Sequence, residues 1–305
     1  MRKFNVFIDG SSGTTGLKIR ELLSPREEID IINIHKDKRR NPDERRLCIE
    51  NADLSILCLP DKEAEAICTG LPKSCRIIDT STAHRTNPDW VYGLPELREG
   101  QREKIASSNR VSNPGCHATG FILLTAPLTA EGVISSEYPL SAFSLTGYSG
   151  GGKKMIAEYE QPERDVQLDS PGVYGLGQNH KHLREMTMYS GLTVTPSFMP
   201  VVCDYYSGML VNIPLHRQLM ELPLSTQALR ELYLEYYRNS PAVRVCTEQP
   251  EGTLYSNTLS GESGLEILVH GNDDRPVVSA RFDNLGKGAA TAAVENMNLM
   301  LGIAE

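Results

Sequence analysis

The 305-residue sequence has no CxxC pair, although it carries seven cysteines: Cys48, Cys58, Cys68, Cys75, Cys116, Cys203 and Cys246. The spacing argues against a structural zinc site and the odd count against a disulfide framework, so no metal is expected and a reducing cytoplasm is the expected compartment. No apolar stretch is long enough to span a bilayer. The opening MRKFNVFIDG lacks the apolar core of a signal peptide and reads as a strand running into a turn. Internal repeats and low-complexity tracts are missing too. Positive charge is in deficit: 31 Lys and Arg against 39 Asp and Glu leave a formal net charge of −8, which opposes any general attraction to nucleic acid or a membrane surface. What remains is a globular chain, 40% hydrophobic and long enough for two domains.

The first third alternates short β-branched runs with windows of helix length. FNVFI (4–8), IDIINI (29–34), DLSILCL (53–59) and RIIDT (76–80) are apolar enough for strands buried on both faces, which predicts an α/β, Rossmann-like, doubly wound parallel sheet. From about residue 140 the character changes. LSAFSLTG, LTVTPSF, GMLVNIPL, LEILVHG and VVSARFDN alternate better and predict a second, α+β domain with a mixed or antiparallel sheet and few helices. KGAATAAVENMNLMLGIA (287–304) has helical spacing and predicts a long terminal helix that packs back on the first domain. The expected domains are 1–115 plus 285–305, and 116–284.

DGSSGTTG (9–16) follows the first strand and opens a helical window, where a dinucleotide fold binds pyrophosphate. Gly10, Gly13 and Gly16 would permit the tight turn and the close backbone approach, with Ser12 and Thr15 among them; the bland alternative is a tight turn without a ligand. Asp30, about 20 residues on, stands at the wrong end of the second strand to bind a ribose in NAD. The far end instead carries His35, Lys36, Lys38, Arg39 and Arg40, a cationic cluster able to neutralise a 2′-phosphate, so NADP is favoured; a solvated charged loop is the competing reading.

A free cysteine is by default a buried core residue. Cys116 differs, because Asn113-Pro114-Gly115 breaks the chain just ahead and HATGFILLTAPL continues as a helix. A thiol at a helix N-terminus has a lowered pKa and is prepared as a nucleophile. His180 and His182 in NHKHLREM are the candidate acid–base partners, and would share a face if that segment were extended. They also read as a surface pair or, weakly, as metal ligands. GYSGGGKK (147–154) almost spells an ATP-binding loop, but Lys154 stands where Ser or Thr would hold magnesium; the turn still suits an anion.

Assembled, FIDGSSGTTG, LPD (59–61), DTSTAHR (79–85), YGLPEL (92–97), SNPGCHATG, SLTGYSGGGK, NHKHLREM, TPSFMPV (195–201) and DNLGKGAATAAVENMNLM (283–300) run over nearly the whole chain. Together they resemble the N-acetyl-gamma-glutamyl-phosphate reductase family of arginine biosynthesis, in its shorter form, with the two-domain architecture of glyceraldehyde-3-phosphate and aspartate-semialdehyde dehydrogenases. The resemblance implies NADPH-dependent reduction of an acyl phosphate to an aldehyde through a thioester on Cys116, with His180 as acid–base residue and His182 beside it. It implies cofactor contacts at Gly10, Ser12, Gly13, Thr15, Gly16, His35, Lys36, Arg39, Pro60 and Ser81. Further contacts follow on the nicotinamide side at Asn284, Gly286, Lys287 and Gly288. Substrate contacts are implied at Arg85, Asn113, Ser149, Gly150, Lys153 and Lys154, in a cytoplasmic homodimer or homotetramer. The chain lacks the longer form's extra length, and Ser11-Ser12 depart from other members' glycine loops.

Rival readings are an aspartate-semialdehyde dehydrogenase, and a cousin acting on a longer or carrier-linked acyl phosphate, since one methylene is worth only a few kcal/mol. From other classes come a catalytically silent NADP-binding regulator and a cofactor-free cysteine hydrolase. Cys116, His180 and the anion loop together oppose the first of these, and the glycine loop opposes the second.

Overall fold

The computed structural model describes residues 3–304, which form two compact units: the chain up to Gly115 together with the chain from Ala289 onward, and Cys116–Gly288. The first unit contains β1 (Phe4–Asp9), α1 (Thr14–Leu23), β2 (Ile29–Ile32), α2 (Pro42–Asn51), β3 (Leu54–Leu57) and α3 (Asp61–Cys68). It continues with β4 (Ile77–Asp79), β5 (Val91–Tyr92), α4 (Gln101–Ser107) and β6 (Arg110–Ser112). The second unit contains α5 (Cys116–Ala130), β7 (Ser141–Gly147), α6 (Gly152–Glu160), β8 (Gly172–Val173), α7 (Leu183–Tyr189) and β9 (Ser197–Cys203). After these come β10 (Met209–Pro214), α8 (Thr226–Tyr236), β11 (Val243–Val245), β12 (Leu265–Asn272) and β13 (Arg275–Phe282), and α9 (Thr291–Leu301) completes the first unit.

In the first unit the strands pair in the order β2-β1-β3-β4-β6-β5, all parallel. Strand residues alternate between two cores, as a period of two requires. Val6, Ile8, Ile56 and Ile78 pack with Ile19, Leu23, Ile105 and Met297, whereas Phe7, Leu57 and Ile77 pack with Ile49, Ile67 and Trp90. Both faces are therefore covered by helices, and the apolar runs read in the sequence are strands of a doubly wound sheet.

The second unit's sheet runs β11-β12-β13-β10-β7-β9-β8 and is mixed, since β7 pairs parallel with β9 and β11 with β12. Its central helix, α5, is buried on every side, unlike a surface helix with one apolar stripe. Gly120 lets that helix lie flush on the sheet: a Cβ there would come within 2.7 Å of Val211 and 2.8 Å of Phe282. Pro127 inside α5 cannot donate to the carbonyl of Leu123, and the hydroxyl of Tyr237 fills the gap at 2.6 Å. The hydroxyl of Tyr233 donates to the neighbouring carbonyl, that of Leu124.

Three expectations are corrected. No strand forms over 192–196, because Thr193 donates to the carbonyl of Ser136 at 2.8 Å and Pro196 has no N–H to give; β9 starts at Ser197. Four helices, not few, accompany the second sheet. The terminal helix begins at Thr291 rather than at 287, because a π-helical turn, Gly286–Ala290, precedes it; the chain re-enters the first unit at Ala289. The strands β5, β6, β8 and β11 have two or three residues each, too short for any periodicity to show.

Gly10 takes φ +80°, and a Cβ on it would stand 2.1 Å from the carbonyl oxygen of Cys58. Gly10→Ala is therefore expected to lower the unfolding free energy by about 1–2 kcal/mol from the left-handed backbone alone, before the clash is counted. A urea midpoint equal to wild type would contradict this.

Candidate active site

In the first unit, β1 delivers the glycine turn. The amide of Gly13 donates to the carbonyl of Gly10 at 2.9 Å, and a Cβ on Gly16 would lie 2.5 Å from that same oxygen, so turn and helix are pressed together. No side chain caps α1 and no acidic residue stands in its first turn, which leaves the helix start open to an anion. Oγ1 of Thr14 is buried there without a hydrogen bond in this structure. Ser12 and Thr15 flank it, exposed and half-buried respectively. A recess beside the turn is lined by Ser11, Arg20, Ile32, Asn33 and Arg39. Of the predicted cationic cluster, Arg39 lines this recess, His35 sits 3.2 Å from Asp37 and Lys38 is paired with Glu44 at 2.6 Å; Lys36 is exposed. Arg20 was not legible in sequence, because on α1 it reads as an ordinary surface cation.

Pro60 precedes α3, and Asp79 at the end of β4 is a hub. Its carboxylate accepts from the amide of Ser81 at 2.9 Å and from the hydroxyl of Ser81 at 2.7 Å, and stands 2.6 Å from Nδ1 of His84, whose ring stacks on Trp90. Arg85 is buried and donates to the carbonyls of Asn113 and Thr80, both at 2.9 Å. Asn113 is buried in turn: its side chain donates to the carbonyl of Ala289 at 3.0 Å and accepts from Asn296 at 3.1 Å. Both residues, predicted to touch substrate, thus brace the turn that runs into Cys116.

In the second unit Cys116 is the first residue of α5 and is only partly buried. The π-helical turn forms the wall behind it. A Cβ on Gly288 would lie 2.9 Å from the Cβ of Cys116, so the backbone there approaches as closely as glycine allows. Asp283 fixes that wall: its carboxylate accepts the amides of Leu285 at 2.7 Å and Gly286 at 3.1 Å, the Ser207 hydroxyl at 3.0 Å and the amide of Gly261. Asn284 accepts from the amide of Gly208 and donates to Ser149, whose side chain is buried; Gly150 is exposed beside it. Lys287, expected at the cofactor, is completely buried, whereas Lys153 and Lys154 are exposed at the start of α6, Lys154 3.8 Å from Glu158.

The histidine segment is a turn, so the shared face that an extended segment would give does not arise. The amide of His182 donates to Nδ1 of His180 at 3.2 Å, and the two rings meet edge to face at 4.7 Å. Gln178, held at φ 52°, ties this turn to β9 with two side-chain bonds to the backbone of Phe198, at 2.8 and 2.9 Å. The rings of His180 and of His117, 5.5 Å apart, both lie edge to face on Phe198. His117, the residue after Cys116, was missed in the sequence, though its adjacency was the available signal. Its Nδ1 is 2.7 Å from the Ser144 hydroxyl and its Nε2 2.7 Å from the Tyr174 hydroxyl. Burial, reinforced by His180, pushes its pKa down to about 3.

Comparison with known proteins follows this geometry. Residues 5–108 match the family model of the semialdehyde dehydrogenase NAD binding domain, and residues 116–284 that of the semialdehyde dehydrogenase dimerisation domain. The chain belongs to the semialdehyde dehydrogenase family and, by full-length likeness at the level given next, to its N-acetyl-gamma-glutamyl-phosphate reductases. N-acetyl-gamma-glutamyl-phosphate reductase 2 of Nostoc sp. is 42% identical over 318 residues, covering 100% of this chain and 99% of its own. The reductase of Brucella ovis is 42% identical over 309 residues, covering 98% and 99%. Among solved structures, aspartate semialdehyde dehydrogenase II of Vibrio cholerae complexed with ASA superposes with a TM-score of 0.71 at 14% identity, covering 99% of both chains. A probable aspartate-semialdehyde dehydrogenase of Pseudomonas aeruginosa gives 0.73 at 15%, covering 98% and 99%; these two share the fold.

Two outcomes follow. Gly288→Ala is expected to displace the thiol and slow both Cys116 alkylation and turnover by about tenfold or more; unchanged alkylation would contradict the wall. His117 stays neutral in the fold, whereas the unfolded chain takes up its proton near the ordinary 6.5. Stability is therefore lost as pH falls from 6.5 toward 3, by up to about 1.4 kcal/mol per pH unit. Urea midpoints at pH 7.5 and 5.5 should fall more steeply for wild type than for His117→Gln, and parallel curves would contradict it.

Proposed function

We propose that this chain reduces N-acetyl-γ-glutamyl phosphate to the corresponding semialdehyde, releasing phosphate, with NADPH as reductant and Cys116 as nucleophile. The observation that carries the reading is the start of α5, where a partly open thiol at a helix N-terminus has the Gly288 backbone behind it, one residue before the His117 ring that meets His180. The helix dipole at that first turn favours the thiolate. Its sulfur attacks the acyl carbon, and the bond from carbon to the phosphate oxygen breaks, leaving a thioester. When bound, NADPH supplies the hydride that reduces the thioester carbonyl. His180, with His182 against it, takes the thiol proton and later handles that of the hemithioacetal, which expels the Cys116 thiolate as the aldehyde forms.

The cofactor reading rests on the first unit's own features. Gly10, Ser12, Gly13, Thr15 and Gly16, with the buried hydroxyl of Thr14, would hold the pyrophosphate, and Arg39 with Arg20, His35 and Lys36 the 2′-phosphate. Lys153 and Lys154 are assigned to the phosphate of the substrate. Arg85 and Asn113 become positioning residues rather than substrate contacts. Two copies would associate through the second unit, which matches a dimerisation domain and turns Phe143 and Met199, partners on β7 and β9, outward. A homodimer, or a tetramer of two such pairs, in the cytoplasm is the inferred working form, consistent with seven free thiols.

The test follows NADPH formation from N-acetylglutamate semialdehyde, phosphate and NADP, the reverse reaction. Wild type should be active, and Cys116→Ser slower by about 10³-fold or more. Equal rates would remove Cys116 from the chemistry, and activity on aspartate semialdehyde alone would transfer the assignment to the shorter-chain dehydrogenase.

A further inference from the structure

A neutral imidazole offers one N–H and one lone pair, so a ring bonded at both nitrogens has only two arrangements. His117 is such a ring, between Ser144 on one side and Tyr174 on the other. The Ser144 side chain is completely buried on β7, and among the described residues His117 is the one partner of its hydroxyl. If Ser144 only accepted, its own proton would be buried without an acceptor, at the full desolvation cost of that group. Ser144 is completely buried and Tyr174 only partly, so the favoured arrangement has Ser144 donating to Nδ1, which makes Nε2 the protonated nitrogen and has Nε2–H donating to the oxygen of Tyr174. The hydroxyl proton of Tyr174 is then left to point away from His117.

What surrounds it is the reacting region of the second unit. The Tyr174 ring is 5.9 Å from that of His180, and the phenol lies within electrostatic reach of Cys116. Burial first, then the Cys116 charge, hold the phenol far above its ordinary pKa, so it remains a donor at any working pH. Tyr174 is anchored for this by its backbone, whose amide donates to the carbonyl of Pro200 at 3.1 Å.

We propose that Tyr174 donates a hydrogen bond to the oxygen of the acyl carbon under attack, with Ser144 and His117 as positioning residues that aim it. The proposal rests on Cys116 being the nucleophile. As the carbon–sulfur bond forms, the carbonyl π pair moves onto oxygen, and that oxyanion accepts from Tyr174, which keeps its proton. When the pair returns, the carbon–oxygen bond to phosphate breaks and phosphate leaves with its electrons. The substrate class is an acyl phosphate, and the same hydrogen bond serves the hemithioacetal oxygen as the pair returns to expel the thiolate.

The test compares Tyr174→Phe, Ser144→Ala and the double variant, with the alkylation rate of Cys116 read by peptide mass and NADPH affinity read by fluorescence. Alkylation and affinity should stay within about twofold of wild type in all three. Tyr174→Phe should lower kcat about 100-fold with KM changed less than about threefold. Ser144→Ala should lower kcat about tenfold, because it frees His117 to take the proton of Tyr174. The double variant should be no slower than Tyr174→Phe. A kcat for Tyr174→Phe within about twofold of wild type overturns the proposal, as do losses that multiply in the double variant. Should Tyr174→Phe not fold, Ser144→Ala decides alone: a kcat loss at unchanged alkylation supports the relay, and wild-type kcat overturns it. Cys116→Ser, run alongside, separates the two failures. Activity retained there removes the nucleophile, whereas an inactive Cys116→Ser beside a fully active Tyr174→Phe removes the tyrosine alone.

Discussion

The close approach of the Gly288 backbone to Cys116 is the constraint on which the second unit depends. It fixes where the first turn of α5 can lie, and α5 in turn is the helix around which that unit's core is built. A buried carboxylate makes the approach rigid: Asp283 gathers backbone amides from its own turn and from Gly261, so the wall cannot retreat without exposing unpaired donors. At its other end the helix is held by Tyr233 and Tyr237 of the α8 segment, which satisfy the carbonyls beside Pro127. A thiol fixed in this way is positioned by packing on both sides rather than by its own rotamer preference.

The first unit uses the same economy differently. Asp79, Arg85 and Asn113 spend their polar groups on one another's neighbourhood, on Ser81, His84, the carbonyl of Thr80 and the carbonyl of Ala289. Such a buried network specifies one conformation of the chain that leads into Cys116, which is what a nucleophile at a chain crossing requires. The glycine turn, by contrast, leaves its helix start without a cap, as an anion site should.

Much of this was legible in the sequence. The two sheet types followed from continuous apolar runs in the first third and alternation beyond residue 140, and Cys116 followed from a chain break ahead of an apolar window. What escaped was whatever depends on contacts between distant segments. Strands of two or three residues carry no period, and β9 starts late because Thr193 is tied to Ser136. His180 and His182 meet through a turn pinned by Gln178, which spacing alone does not reveal. The buried partners of Arg85 and Asn113, and the complete burial of Lys287, leave no local trace either. Ser144, His117 and Tyr174 are spread over 58 positions of chain by residue number, so no local pattern could join them.

The central claim is that acyl transfer to Cys116 precedes reduction. Intact-mass measurement after mixing the protein with N-acetyl-γ-glutamyl phosphate, without NADPH, tests it most directly. The account predicts one acyl group per chain, mapped to the peptide holding Cys116, with an equal amount of phosphate released and the adduct discharged as aldehyde when NADPH is added. Phosphate release without an adduct, or an adduct on any other residue, would contradict it.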